Sequence, residues 1–114
     1  MTSSPLLTVA PMEGLTGVIF RQVHSRFFGG ADQYYIPFVT PTTLPKFTER
    51  QLRELAPEVN DGFEAVPQLL TRRTEDFIWA AKALADLGYS EVNLNLGCPA
   101  GTVVAKGKGS GFLR

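Results

Sequence analysis

Val92-Asn93-Leu94-Asn95-Leu96-Gly97-Cys98-Pro99 is the stretch on which the fold turns. Apolar and amide side chains alternate with period two, which puts Val92, Leu94 and Leu96 on one face of a strand and Asn93 and Asn95 on the other. The strand runs into a glycine-rich basic loop, and Cys98, the only cysteine of the chain, lies where strand becomes loop. Two amides and a thiol are thereby delivered to one strand end.

Working back from this strand, three more apolar runs read as strands: residues 6–10, 34–39 and 65–70. Pro37 and Pro67 within them predict interrupted ladders. Between the strands lie three helical patterns. Residues 15–28 carry Leu15, Val18, Ile19, Val23 and Phe27 at helical spacing, expected as a buried stripe, with Thr16 as N-cap and Gly29-Gly30 as the stop. Thr48-Glu49-Arg50-Gln51 fits a capping box and starts a short helix to about Leu55, which Pro57 ends. Thr74, with Glu75 and Asp76 behind it, opens a helix whose Phe77, Ala80, Ala81, Leu84 and Leu87 share a side, and Gly88 closes it.

The order is β-α-β-α-β-α-β, and strands beginning near residues 6, 34, 65 and 91 lie 28, 31 and 26 residues apart. Such regular units predict right-handed crossovers and a parallel sheet. A doubly wound sheet and a (β/α)8 barrel both meet that description. Pro11-Met12-Glu13, Thr40, Gln68, Asn95 and Cys98 all fall at C-terminal strand ends, as a barrel rim requires. Ala10-Pro11-Met12-Glu13-Gly14 is not the G-x-G-x-x-G of a dinucleotide fold. The barrel is preferred, and eight such units need about 225–250 residues. The expected architecture is therefore an α/β parallel half-barrel, the first four strands of a TIM barrel, with residues 1–114 forming the N-terminal portion of one catalytic domain.

Composition excludes several classes. Eleven basic residues balance eleven acidic ones, which argues against a broadly basic nucleic-acid module while leaving room for a clustered patch. One cysteine and one histidine cannot form an intrachain disulfide or a cysteine-rich zinc site. No stretch approaches the roughly 20 apolar residues of a membrane span. The N-terminal Met1-Thr2-Ser3-Ser4-Pro5 lacks the basic and apolar regions of a secretory signal, so a cytoplasmic protein is expected. Gly107-Lys108-Gly109-Ser110-Gly111 does not have Walker spacing, which argues against an ATPase.

At these residues the chain resembles the tRNA-dihydrouridine synthases, flavin enzymes built on an N-terminal (β/α)8 barrel with a smaller helical domain behind it. The resemblance spans about Val9 to Leu113 and is carried by Ala10-Pro11-Met12-Glu13-Gly14-Leu15-Thr16 with Phe20-Arg21, by Gln68, and by Asn95-Leu96-Gly97-Cys98-Pro99 with Val103 and Gly107 to Leu113. It implies FMN reduced by NADPH or NADH, hydride transfer from the flavin to C6 of a uridine in tRNA, and protonation of C5 by Cys98. It further implies Pro11, Met12, Glu13 and Gln68 along the flavin and Asn95 at the substrate. Two departures stand out: Gly17 takes a position where such enzymes commonly carry an acidic residue, and Ile36-Pro37-Phe38 stands where a Glu commonly follows the second-strand tyrosine.

The residues themselves admit plainer roles. A lone cysteine is usually a small buried hydrophobe, Met12 alone reads as packing, and Gln68 alone as a structural amide in a barrel. Lys106, Lys108 and Arg72-Arg73 offer phosphate contacts to tRNA or simply solvated loops. His24 reads as a partly exposed helical residue. The later strands that hold the FMN phosphate in such barrels would lie beyond residue 114, so the chain alone is expected to be inactive and to self-associate through open barrel edges. Alternatives are an FMN barrel dehydrogenase acting on a free pyrimidine and a non-catalytic half-barrel used for self-association.

Overall fold

The fold is that of a computed structural model and is described for residues 6–96. Four strands, β1 (Thr8–Val9), β2 (Gln33–Val39), β3 (Ala65–Leu69) and β4 (Asn93–Leu94), lie side by side in chain order, every neighbouring pair parallel. Helices α1 (Val18–Phe27), α2 (Glu49–Leu55) and α3 (Thr74–Asp86) join them. This is the half-barrel expected from the repeat spacing. The outer strands are shorter than their apolar runs, two residues each.

Local signals set most boundaries. Thr48 accepts from the Gln51 amide at 3.2 Å while the Gln51 side chain accepts from the Thr48 amide at 3.0 Å, the reciprocal box that starts α2. Ala56 turns extended ahead of Pro57, and a 3-10 turn, Pro57–Asn60, follows. Gly29 (φ +61°) and Gly88 (φ +106°) take left-handed conformations after α1 and α3, which side-chain-bearing residues adopt at a cost. Near Pro37 the β2·β3 register shifts between Ile36 and Val39, as an interrupted ladder requires. Pro67 is tolerated in the central strand because the β4 pairing begins only at Gln68↔Asn93.

The core lies between sheet and helices. Ile36, Val39 and Leu69 from the strands meet Leu55 of α2, Ala80 and Leu84 of α3, and Phe47 from the loop before α2. Trp79 of α3 packs its ring 5.1 Å from that of Phe47 and donates from Nε1 to the Thr42 carbonyl at 2.9 Å, which fastens the β2–α2 loop across α3. Truncating one of the buried leucines to alanine would cost about 2–5 kcal/mol.

Two expectations about the helices are corrected. Leu15, Ile19, Val23 and Phe27 form a stripe at helical spacing but are exposed, with Ile19 and Phe27 each 71 % accessible. The face of α1 turned inward carries Arg21, wholly buried, because its neighbours there are the polar carbonyls of α2 and the 3-10 turn, which a guanidinium satisfies and a leucine does not. Thr16 does not cap α1: Gly17 holds that position without a side-chain bond, while the Thr16 hydroxyl turns back to Met12. α3 opens at Thr74 with Glu75 and Asp76 in its first turn, as expected, and Arg73 at the N-cap position pairs with Asp76 at 3.3 Å.

Candidate active site

Because all four strands are parallel, residues 10–13, Thr40, Gln68 and Asn95 belong to one edge of the sheet. Side chains alternate across a strand, so Leu69, packed in the helix-side core, puts Gln68 on the opposite, concave face. Gln68 stands opposite Asn93 in register, with Asn95 two residues further along the same face. The three amides meet there.

Gln68 donates from Nε2 to Asn93 Oδ1 at 2.8 Å and accepts at Oε1 from Asn95 Nδ2 at 3.2 Å. The Asn95 amide continues the ladder to the Leu69 carbonyl at 2.9 Å, so the strand pairing that orders the backbone also aims the side chain. Gln68 is only 9 % accessible, and an amide carries two donor hydrogens and two acceptor sites. After its bonds to Asn93 and Asn95, its side chain retains one donor hydrogen and one acceptor site. The sequence singled out Gln68 and Asn95; Asn93, which closes the shorter of the two contacts, shared their strand face but was assigned no role.

The other predicted residues lie on the turn after β1. Leu15 and Thr16 amides both donate to the Met12 carbonyl at 2.9 Å, Gly14 takes φ +80°, and the Met12 amide donates to Thr16 Oγ1 at 2.9 Å. The backbone of Met12 is therefore spent within the turn. Its side chain, 53 % accessible, is what Met12 can offer a ligand, with Glu13 exposed and Pro11 half-buried beside it. Glu13 borders a cleft of about 620 Å³ shared with Pro37, Phe38, Thr40, Arg50 and Arg53. The turn and the amide cluster are not in contact: β2 and β3 separate β1 from β4, about 14 Å along the sheet at ~4.8 Å per strand. Cys98, Lys106, Lys108 and the Gly107 to Leu113 loop lie outside the described residues.

Compared with known families, residues 8–114 match the dihydrouridine synthase (Dus) model. The chain belongs to the dihydrouridine synthase family. Within this family it is 31 % identical over 110 residues to a probable tRNA-dihydrouridine synthase of Staphylococcus epidermidis, 30 % over 113 residues to one of Staphylococcus aureus, and 29 % over 110 residues to probable tRNA-dihydrouridine synthase 2 of Bacillus subtilis. Each alignment covers 96 % of this chain and 33–34 % of the relative, so the chain spans about a third of the length of the relatives it matches.

Arg21, part of the Phe20-Arg21 motif but without a task readable from the sequence, is wholly buried. Its Nη1 donates to the Thr16 carbonyl at 2.9 Å and to Glu54 Oε2 at 3.0 Å, Nη2 to the Glu54 carbonyl at 3.1 Å and Asn60 Oδ1 at 3.0 Å, and Nε to Asn60 Oδ1 at 3.2 Å. Asn60 Nδ2 donates to the Glu54 and Ala56 carbonyls and to the Tyr89 hydroxyl, which donates to the Leu55 carbonyl at 2.7 Å. Burial lowers the Arg21 pKa from its ordinary value, opposed by the Glu54 carboxylate, and burial raises the Tyr89 phenol despite the nearby guanidinium. The polar residues Arg21, Glu54, Asn60 and Tyr89, far apart in sequence, thus hold the β1–α1 turn from behind. His24 has a structural task as well: its Nδ1 lies 2.6 Å from the buried Tyr34 hydroxyl, between the rings of Phe20 and Phe28. Among the described residues no cluster of His, Cys, Asp or Glu could hold a metal, and no helix is long and apolar enough to cross a membrane.

Proposed function

We propose that the chain carries the ring-facing part of an FMN-dependent tRNA-dihydrouridine synthase site, which reduces the C5–C6 double bond of a uridine in tRNA at the expense of NADPH or NADH. The observation that carries this reading is the Gln68 amide held between Asn93 and Asn95 on the concave face, at the same sheet edge as the Met12 turn. Gln68, the exposed side chains of Met12 and Glu13 and the half-buried Pro11 suit FMN: a fixed amide for a polar ring edge, and a compact turn for packing against a flat ring. FMN, when bound, would supply the hydride for C6. Asn95 would orient the uracil, its strand position set by the bond to the Leu69 carbonyl. Cys98, three residues beyond Asn95 in sequence, would protonate C5; an unperturbed thiol, with a pKa near ~8.5, is mostly protonated at neutral pH and can act as a general acid.

The test joins this chain to the remaining two thirds of the Bacillus subtilis relative and measures dihydrouridine in unmodified tRNA, with free uracil as the competing substrate. Flavin-dependent dihydrouridine formation in tRNA is expected, falling by about a hundredfold or more with Cys98→Ala, the range of a lost general acid. Reduction of free uracil in preference to tRNA, or full activity in the Cys98→Ala protein, would overturn the assignment.

A further inference from the structure

Arg21 and Gly17 together contain an arrangement that the motif does not announce. Burying a guanidinium is costly unless it is paired and hydrogen-bonded, and Arg21 is wholly buried. Its charge partner, Glu54, comes from α2, at 3.0 Å, and one of its hydrogen bonds holds the Thr16 carbonyl. Thr16 in turn accepts from the Met12 amide. An unbroken chain of contacts therefore runs from the Glu54 carboxylate through Arg21 and Thr16 to Met12.

Position 17 sits beside the start of that chain. Gly17 has φ −68°, an ordinary value, so its backbone does not require glycine. A Cβ built there would lie 3.6 Å from Glu54 Oε1 and 4.0 Å from Oε2, ordinary van der Waals contact, so space does not require glycine either. What position 17 cannot accept is a second negative charge: a carboxylate on that Cβ would enter the surroundings that the Glu54 carboxylate already fills, around a single guanidinium.

We propose that Arg21 is a positioning residue that sets the Met12 turn for its ligand contacts, and that the Glu54 carboxylate it needs comes from α2 at a place that a carboxylate on position 17 could fill instead. The ligand part rests on the cofactor reading above; the charge exchange stands on the geometry. Gly17→Asp alone crowds two carboxylates around Arg21, Glu54→Gln alone leaves Arg21 with a neutral partner, and the double substitution restores one carboxylate. Glu54→Gln keeps the side-chain shape at a partly exposed site, so the fold survives the test.

The experiment is amide hydrogen exchange on the full chain, following Leu15 and Thr16, whose amides both bond the Met12 carbonyl, with the β2 amide of Tyr34 as the reference for global opening. In Glu54→Gln the two turn amides should exchange about tenfold faster or more, since a charged hydrogen-bond partner is lost, while Tyr34 changes less. In the Gly17→Asp/Glu54→Gln protein they should return toward the parent rate. Exchange in the double variant as fast as in Glu54→Gln, or equal acceleration at Tyr34, would overturn the proposal. An FMN titration of the same substitutions, made in the chain joined to the remaining two thirds of the Bacillus subtilis relative, separates the two readings: weaker binding in Glu54→Gln restored in the double variant supports positioning. No flavin binding by the unsubstituted joined protein would overturn the cofactor assignment alone, with the exchange data still deciding the pairing.

Discussion

Replacing Asn60 by alanine should be among the most damaging single changes outside the apolar core. Asn60 is buried; its Oδ1 accepts twice from Arg21, and the two hydrogens of Nδ2 are shared among the Glu54 carbonyl, the Ala56 carbonyl and the Tyr89 hydroxyl. The groups left behind differ in what they keep. The Glu54 carbonyl retains Arg21 Nη2, the Ala56 carbonyl retains the Val59 amide, and the Tyr89 hydroxyl retains the Leu55 carbonyl. Arg21 Nε retains nothing and becomes a stranded donor on a buried cation. A stranded charged donor costs upward of ~2 kcal/mol and the weakened neutral bonds add roughly 1–2, for a loss of about 3–4 kcal/mol. With a urea slope of about 1.5–2 kcal/mol per molar for a domain of this size, the midpoint should fall by about 2 M, followed through Trp79 fluorescence. Asn60→Asp tests the direction of the amide. It preserves an acceptor for Arg21 but turns Nδ2 into an oxygen facing two carbonyls, so its loss should be comparable. An Asp variant as stable as the parent would refute the reasoning, since it would mean that Arg21 wants only negative charge at that place.

Gln68→Leu should cost about 1–3 kcal/mol by removing both bonds to the asparagines, and should weaken flavin binding in a fluorescence titration more than Thr16→Val does. His24→Phe preserves the stacking with Phe20 and Phe28 but leaves the buried Tyr34 hydroxyl without its partner, an expected loss of about 1–3 kcal/mol in thermal unfolding; no change would place the hydroxyl in contact with water. Burial raises the pKa of both Tyr34 and Tyr89, so the unfolded chain releases their protons first. Stability should accordingly hold below the unfolded tyrosine pKa of about 10 and fall as pH climbs past it, with Tyr89→Phe flattening the alkaline limb of urea midpoints measured against pH.

What could be read without the structure was what depends on neighbours in sequence. The capping box at Thr48, the glycine stops at Gly29 and Gly88, and the break at Pro37 are each set by a few adjacent residues, and each appears where expected. The amide face formed by Asn93 and Asn95 was legible for the same reason, because strand alternation is local, and Gln68 joins it because parallel pairing in order brings β3 beside β4. Periodicity failed on α1. It groups Leu15, Ile19, Val23 and Phe27 on one face but carries no information about which face the rest of the chain covers.

The sequence by itself therefore determined the repeat of strands and helices, the parallel half-barrel, and the strand ends where site residues gather. Only the tertiary structure decided that Arg21 is buried, that Glu54 reaches it across a gap of 33 residues, that Asn60 and Tyr89 close the network, and that Met12 spends its backbone on Thr16. The physical reason is that a buried charge is tolerable only where its hydrogen bonds are met, and the groups that meet them come from segments brought together by the packed helices.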